Sequence, residues 1–190
     1  MKEKIMKVAK ELFIKNGYNL TTTSDIVKLS GSSKGNLYHH FNNKENLFLE
    51  IIKDEETKWE EIWRNEEKKC QTNKEKIMRI NELAASKDYY YYSLQLAIFE
   101  FYSNENKSKN TVEKLNEIEE HYLKLLMDIL EEGNKAKEWD IVDLKLASQT
   151  VSATITGTIL LSLNETEEQR KKQINYFSKI FLNGISKPEE

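Results

Sequence analysis

Apolar side chains recur three and four residues apart through most of this chain, which is the period of an amphipathic helix and not of a strand. Ile5, Val8, Ala9, Leu12 and Phe13 predict a first helix over 2–16, with Gly17 ending it. Thr22-x-x-Asp25 is a capping-box-like start for a short second helix with Ile26, Val27 and Leu29 as its apolar face, and Gly31 breaks it. Ser32 and Ser33 are N-cap candidates for a third helix, Lys34 to Phe41. Asn42-x-x-Glu45 caps a fourth, about Lys44 to Lys69, striped by Leu47, Phe48, Ile51, Ile52, Trp59, Ile62 and Trp63. Thr72-x-x-Glu75 opens a fifth that continues to about Ser86, and Leu94, Ala97, Ile98 and Phe101 mark a sixth. After a polar loop at 103–110, Val112, Leu115, Ile118, Tyr122, Leu125, Leu126 and Ile129 form the inner face of a seventh, ended by Gly133 and Asn134. The small and apolar run from Leu144 to Leu163 and the face Ile174, Phe177, Ile180, Phe181 and Leu182 supply the last two. An all-α chain of about nine helices is predicted.

Composition supports this. A single Pro and six Gly in 190 residues leave little to interrupt helices. No apolar run is long enough to cross a bilayer, and Met1 to Lys10 lacks the apolar core of a signal peptide. The lone Cys70 excludes an internal disulfide and suits a reducing, cytoplasmic compartment. The net charge of -3 is unevenly spread: residues 1–48 hold eight Lys against Glu3, Glu11, Asp25 and Glu45, a balance of +4 that leaves -7 for the remainder. A basic head on an acidic body fits a DNA reader with a separate second site.

The third helix has Leu37 and Phe41 on one face and Lys34, Gly35, Asn36, Tyr38, His39 and His40 elsewhere. Donors, a bare backbone position and flat rings suit phosphate oxygens and base edges in a major groove. In the fourth helix, Glu55 interrupts the apolar stripe and Glu56 borders it. A buried carboxylate requires a partner. Either a Lys from a neighbouring helix pairs with it, or it receives a cation in a cavity. Glu119 likewise falls between Leu115 and Tyr122. Four successive aromatics, Tyr89 to Tyr92, point about 100° apart on a helix and cannot share one face, so at least one lines a cavity or lies in irregular backbone. His121 lacks the Glu-x-x-His spacing of di-iron bundles, because residue 118 is Ile, and no metal site or cofactor is expected.

SSKGNLYHHFNNKENLF, at 32–48, resembles the recognition-helix signature of TetR-family repressors, a Lys-Gly-x-Leu-Tyr-x-His-Phe core followed by Lys-Glu-x-Leu. The likeness extends to AKELFIKNGYN before it and to CQTN, EFY and FLNGIS after it. The resemblance implies a helix-turn-helix DNA-binding domain over 1–46 and an antiparallel helical ligand-binding and dimerisation domain over 47–190, the last two helices pairing in a homodimer. It implies that Thr23, Ser33, Lys34, Gly35, Asn36, Tyr38, His39, His40 and Lys44 lie at or near an operator. Over nearly its whole length the chain is similar to the branch of the family that binds lipophilic cationic drugs and dyes. On that likeness Glu55, Glu56, Trp59, Tyr91, Gln95, Ile98, Tyr102, Glu119 and Tyr122 fall on pocket positions. The extra Tyr in the run leaves the choice between Tyr91 and Tyr92 open. Ala153, Thr156 and Leu161 stand where that branch has two Asn and a Phe, and His39 stands where it has a Tyr.

Three readings follow. A drug-responsive repressor explains the acids and aromatics, since a planar cation stacked on desolvated rings gains up to about 2 kcal/mol per contact. A repressor of the same fold that senses a metabolite, or nothing at all, explains the reader equally well. An enzyme or passive scaffold leaves the 22–47 motif without a purpose, and no nucleophile–base pair, phosphate loop or metal cluster recommends the enzyme.

Overall fold

The computed structural model describes residues 1–86 and 90–185, and gives backbone alone at 90–92. The described residues form nine helices and no strands: α1 (Lys2–Leu20), α2 (Thr23–Ser30), α3 (Lys34–Phe41), α4 (Lys44–Glu67), α5 (Asn73–Ala84), α6 (Tyr90–Ser103), α7 (Lys109–Lys135), α8 (Leu144–Leu161) and α9 (Glu167–Ile185). The predicted all-α architecture is the one observed. They pack as two units, Met1–Lys58 with Ser93–Ile118, and Trp59–Tyr92 with Glu119–Glu190.

The first unit packs α1, α2 and α3 against one another. Ile5, Ala9, Phe13, Ile26, Leu37, Phe41 and Phe48 are buried in it. Phe13 meets Phe48 edge-on at 5.0 Å between centroids, and Tyr18 meets Phe101 edge-on at 5.1 Å. The predicted caps of α2 and α3 form: Thr22 Oγ1 accepts from the Asp25 amide at 3.1 Å, and Ser33 Oγ accepts from the Asn36 amide at 3.1 Å. Gly31 ends α2 at φ 64°, a left-handed conformation that glycine adopts without steric cost.

Two boundaries differ from expectation. Gly17 does not end α1; it kinks it at φ 76°, ψ 177°, and helical turns resume as far as Leu20. The cap of α4 comes one residue late. Asn43 Oδ1 accepts from the Asn46 amide at 2.7 Å, while Asn42 takes φ 62° as the connecting residue. Glu45 stands in the first turn of α4 as expected and accepts from the Ser108 hydroxyl at 2.6 Å and the Thr111 hydroxyl at 3.1 Å, at the start of α7.

In the second unit α9 packs on α5 and α8. The Asn81 amide donates to Ser178 Oγ at 2.9 Å within this core. Arg170 is fully buried and donates to the carbonyl oxygens of Ala85 at 2.8 Å and Ser162 at 3.4 Å. Glu138 accepts from the amides of Asn73 and Lys74, both at 3.1 Å, so a carboxylate meets the positive N-terminus of α5. Gly133 does not terminate α7 as expected. The helix runs on to Lys135, and the chain reverses at Lys137, which takes φ 61°. Glu138 N donates to Gly133 O at 2.9 Å and Lys137 N to Asn134 O at 3.1 Å, the bond pair of a Schellman turn. Gly133 is needed for space: a Cβ there would collide with the Trp139 indole.

Candidate functional site

Helix α3 buries Leu37 and Phe41 and exposes Lys34, Gly35, Tyr38, His39 and His40. That division follows from its sequence, because the two apolar residues stand four apart and draw one face onto α1 and α2. The Lys34 ammonium lies 5.9 Å from the Tyr38 ring centroid, and the His39 and His40 rings sit edge-to-face at 5.2 Å. Asn36 is half-buried, its amide donating to Ser32 Oγ at 3.1 Å. Thr23 is half-buried at the start of α2, and exposed Ser33 spends its hydroxyl as the α3 cap. Gly35 is informative. A Cβ there would meet nothing closer than Ser33 Oγ at 3.9 Å, so no internal contact requires glycine. Glycine within a helix costs roughly 1 kcal/mol against Ala, and an outside surface that approaches the backbone closely would account for it.

Lys44 departs from expectation. Its ammonium points inward, donating to the carbonyl oxygens of Tyr18 at 2.9 Å and Thr21 at 3.1 Å, and lies 4.1 Å from the Tyr18 ring centroid. Burial lowers its pKa from the ordinary lysine value, against the opposing pull of Glu100 and Glu45. Burial, with Glu45 adding to it, raises the Tyr18 phenol well above the ordinary tyrosine value. Lys44 is therefore the cation that closes the C-terminal end of α1, where unpaired carbonyls attract positive charge. In this structure it does not extend from the reader surface.

The residues expected at a ligand are distributed along α4, α6 and α7. Glu55 is 6% exposed and has the partner its burial demands: Lys10 of α1 at 2.5 Å and Lys58 at 2.8 Å. Glu56 is half-buried. Trp59 stacks with Trp63 at 6.4 Å and 8° between planes, and Tyr122 meets Trp59 edge-on at 5.6 Å. Trp63, taken from sequence only as part of the stripe, is thus part of the aromatic group. The signal was its spacing of four from Trp59. Its buried Nε1 has no hydrogen-bond partner among the described residues. Gln95 is buried, Ile98 is half-buried, and the Tyr102 hydroxyl donates to Asn116 Oδ1 at 2.9 Å. The Tyr91 side chain lies outside the described residues.

Glu119 is exposed, contrary to the inner-face reading. It stands at the edge of the α7 stripe and lines an open cleft of about 510 Å³ with Leu123, Ser152, Ala153, Thr156 and Leu160. The small residues of α8 leave that side of the stripe uncovered. Of Ala153, Thr156 and Leu161, the first two line this cleft, whereas Leu161 is exposed to solvent.

Two capped short helices, the second with a polar face to solvent, have the arrangement of a helix-turn-helix DNA reader. Residues 5–51 match the model of bacterial regulatory proteins of the tetR family, and residues 55–187 match the QacR-like protein, C-terminal region. The chain belongs to the TetR family of transcriptional regulators, with a QacR-like C-terminal region. It is 50% identical over 187 residues, 98% of this chain and 99% of the relative, to the HTH-type transcriptional regulator QacR of Staphylococcus aureus. It is 31% identical over 161 residues, 82% of this chain and 79% of the relative, to the fatty acid metabolism regulator protein of Bacillus subtilis. Among solved structures it is similar to FadR from Bacillus subtilis in complex with stearoyl-CoA, with TM-score 0.81 and 25% identity over 97% of this chain and 100% of that one. A regulator from Saccharomonospora viridis in complex with choline shares the fold, with TM-score 0.84 and 16% identity over 98% of each chain. The protein is a TetR-family repressor and not an enzyme. No described helix is long and apolar enough to cross a membrane.

Proposed function

We propose that this repressor binds a palindromic operator as a homodimer in the cytoplasm, is released by hydrophobic cationic molecules, and controls a drug-efflux gene. Residues 1–46 are the reader domain and residues 47–190 the ligand-binding and dimerisation domain, in which α8 and α9 pair with their copies. Lys34, Gly35, Asn36, Tyr38, His39 and His40 approach the major groove, with Thr23 and Ser33 on phosphates. The observation that carries the DNA reading is the solvent-facing polar side of α3, with a glycine that the fold itself does not require. Tyr38→Ala removes an exposed ring and leaves the buried face of α3 intact. It is expected to weaken operator binding at 150 mM salt by about tenfold with an unchanged far-UV helix signal. Wild-type operator affinity in this variant would remove Tyr38 from the interface.

The ligand reading is supported by 50% identity to QacR along 98% of the chain. It is also supported by a buried carboxylate, Glu55, that stands one turn from Trp59 on α4. The guest's charge is met by Glu55, Glu56 and Glu119, and its rings by Trp59, Tyr91, Tyr102 and Tyr122, with Gln95 and Ile98 beside them. Helix α4 is unbroken from Lys44 to Glu67, so Trp59 and Lys44 are about 22 Å apart along one element. A guest that displaces α4 at Trp59 moves the reader end with it. Rhodamine 6G affinity measured with and without saturating operator tests this, against a dye-plus-DNA blank. Linkage requires the dye to bind operator-bound protein more weakly by the factor by which it lowers operator affinity. Equal dye affinity in the two states would uncouple the guest from DNA.

A second reading has its own support. The likeness to a fatty acid metabolism regulator, and to FadR in complex with stearoyl-CoA, favours an endogenous acyl thioester as the inducer. Operator release by an acyl-CoA, with no response to rhodamine 6G, would select it.

A further inference from the structure

We propose that Lys10 is a built-in competitor for the cation received by Glu55, and that its displacement loosens the joint between α1 and α4. The inference rests on the reading that a cationic guest meets Glu55. The Glu55 side chain is 7% exposed, and both its oxygens are taken: Oε2 by Lys10 Nζ at 2.5 Å, Oε1 by Lys58 Nζ at 2.8 Å. The two lysines hold different things. Lys58 is on the same helix, is more than half exposed, and also pairs with Asp54 at 2.6 Å, so its bond to Glu55 ties α4 only to itself. Lys10 is on α1, so its bond to Glu55 ties the first helix of the reader to α4. A second α1–α4 pair, Lys2 with Glu50 at 3.0 Å, has both partners nearly half exposed and is screened by solvent.

A cleft of about 440 Å³ between α1 and α4, lined by Glu3, Lys7, Lys10, Ile51, Asp54 and Lys58, lets Lys10 swing away without repacking the core. A buried carboxylate does not tolerate losing its countercharge, yet one cation can replace another there. A guest cation and the Lys10 ammonium therefore compete for the same oxygen. The guest's arrival removes a tie between α1 and α4. Conversely, whatever tightens Lys10 on Glu55 weakens the guest by the same factor.

Rhodamine 6G and the uncharged dye Nile red are titrated into the full-length wild type and the variants Lys10→Met, Lys58→Met, Glu55→Gln and Lys10→Met/Glu55→Gln. Rhodamine is titrated again with operator present. Lys10→Met is expected to bind rhodamine about tenfold more tightly, as removal of one partly buried competitor implies, with Nile red unchanged. Its ratio of rhodamine affinities in the free and operator-bound states should shrink. Lys58→Met should also tighten rhodamine binding but keep the wild-type ratio. In the Glu55→Gln background the Lys10 substitution should have no effect. Unchanged rhodamine affinity in Lys10→Met, or an equal gain for Nile red, overturns the competitor. Should Lys10→Met fail to fold, Lys10→Gln decides, because unchanged rhodamine affinity there overturns the competitor. A wild type that ignores rhodamine, or a Glu55→Gln variant that binds it as well as wild type, removes the ligand reading itself and the inference with it. That result is distinguishable from a protein that binds through Glu55 but is indifferent to Lys10.

Discussion

Trp139→Ala is expected to lower the stability of the second unit by about 4 kcal/mol, the range found when a large aromatic is deleted from a packed core. Trp139 is 1% exposed, its indole lies on Gly133, and its Nε1 donates to Leu130 O at 2.7 Å. Removing the ring leaves a cavity against α7 and frees the turn at 136–138, which carries Glu138 onto the N-terminus of α5. Trp139→Phe fills most of the volume and loses chiefly the hydrogen bond, so its cost should be about 1 kcal/mol. Urea denaturation at one fixed protein concentration separates the two, since any self-association makes stability concentration-dependent. A loss below 1 kcal/mol for Trp139→Ala would mean that the indole fills a site able to collapse around its absence.

Trp139 also shows where sequence reasoning stops. Its neighbours Glu138 and Asp140 are polar and it belongs to no periodic stripe, so nothing local marks it as core. Its importance is set by a glycine six residues earlier, and Gly133 was read as a helix end because glycine serves both purposes. The reader was legible because its signals are local: Thr22 and Ser33 cap their own helices within three residues, and Leu37 and Phe41 define the buried face of α3. Glu55 was half legible. A carboxylate in an apolar stripe demands a cation, but which lysine supplies it depends on a contact 45 residues away. Lys44 and Glu119 are oriented otherwise than their sequence context suggests, for opposite reasons. Lys44 carries a charge that usually faces solvent, yet the carbonyls at the end of α1 draw it inward. Glu119 has the spacing of an inner-face residue, but the small side chains of α8 leave it uncovered.

Gly17→Ala should cost about 3 kcal/mol in the first unit and weaken operator binding as well. At φ 76° and ψ 177° the backbone is in a region used almost only by glycine, where another residue costs about 1–3 kcal/mol. The added Cβ would also overlap the Glu100 carboxylate of α6. That carboxylate has two contacts at this point: Oε2 accepts from the Asn19 amide at 3.0 Å, and its charge opposes the lowering of the half-buried Lys44 pKa by desolvation. Displacing it leaves a backbone N–H unpaired and weakens the support for Lys44, whose bonds to Tyr18 and Thr21 set where α1 hands over to α2. The reader's first joint would therefore be loosened on both sides. Glu100→Gln separates the two causes, because it leaves the glycine conformation alone and keeps an oxygen for the Asn19 amide. It should cost no more than about 1 kcal/mol, the scale of one weakened hydrogen bond. Urea melts of both variants alongside operator titrations at 150 mM salt supply the comparison. If Gly17→Ala proves as stable as wild type, the kink is not held by glycine. If it is destabilised but binds operator normally, the end of α1 does not position the reader.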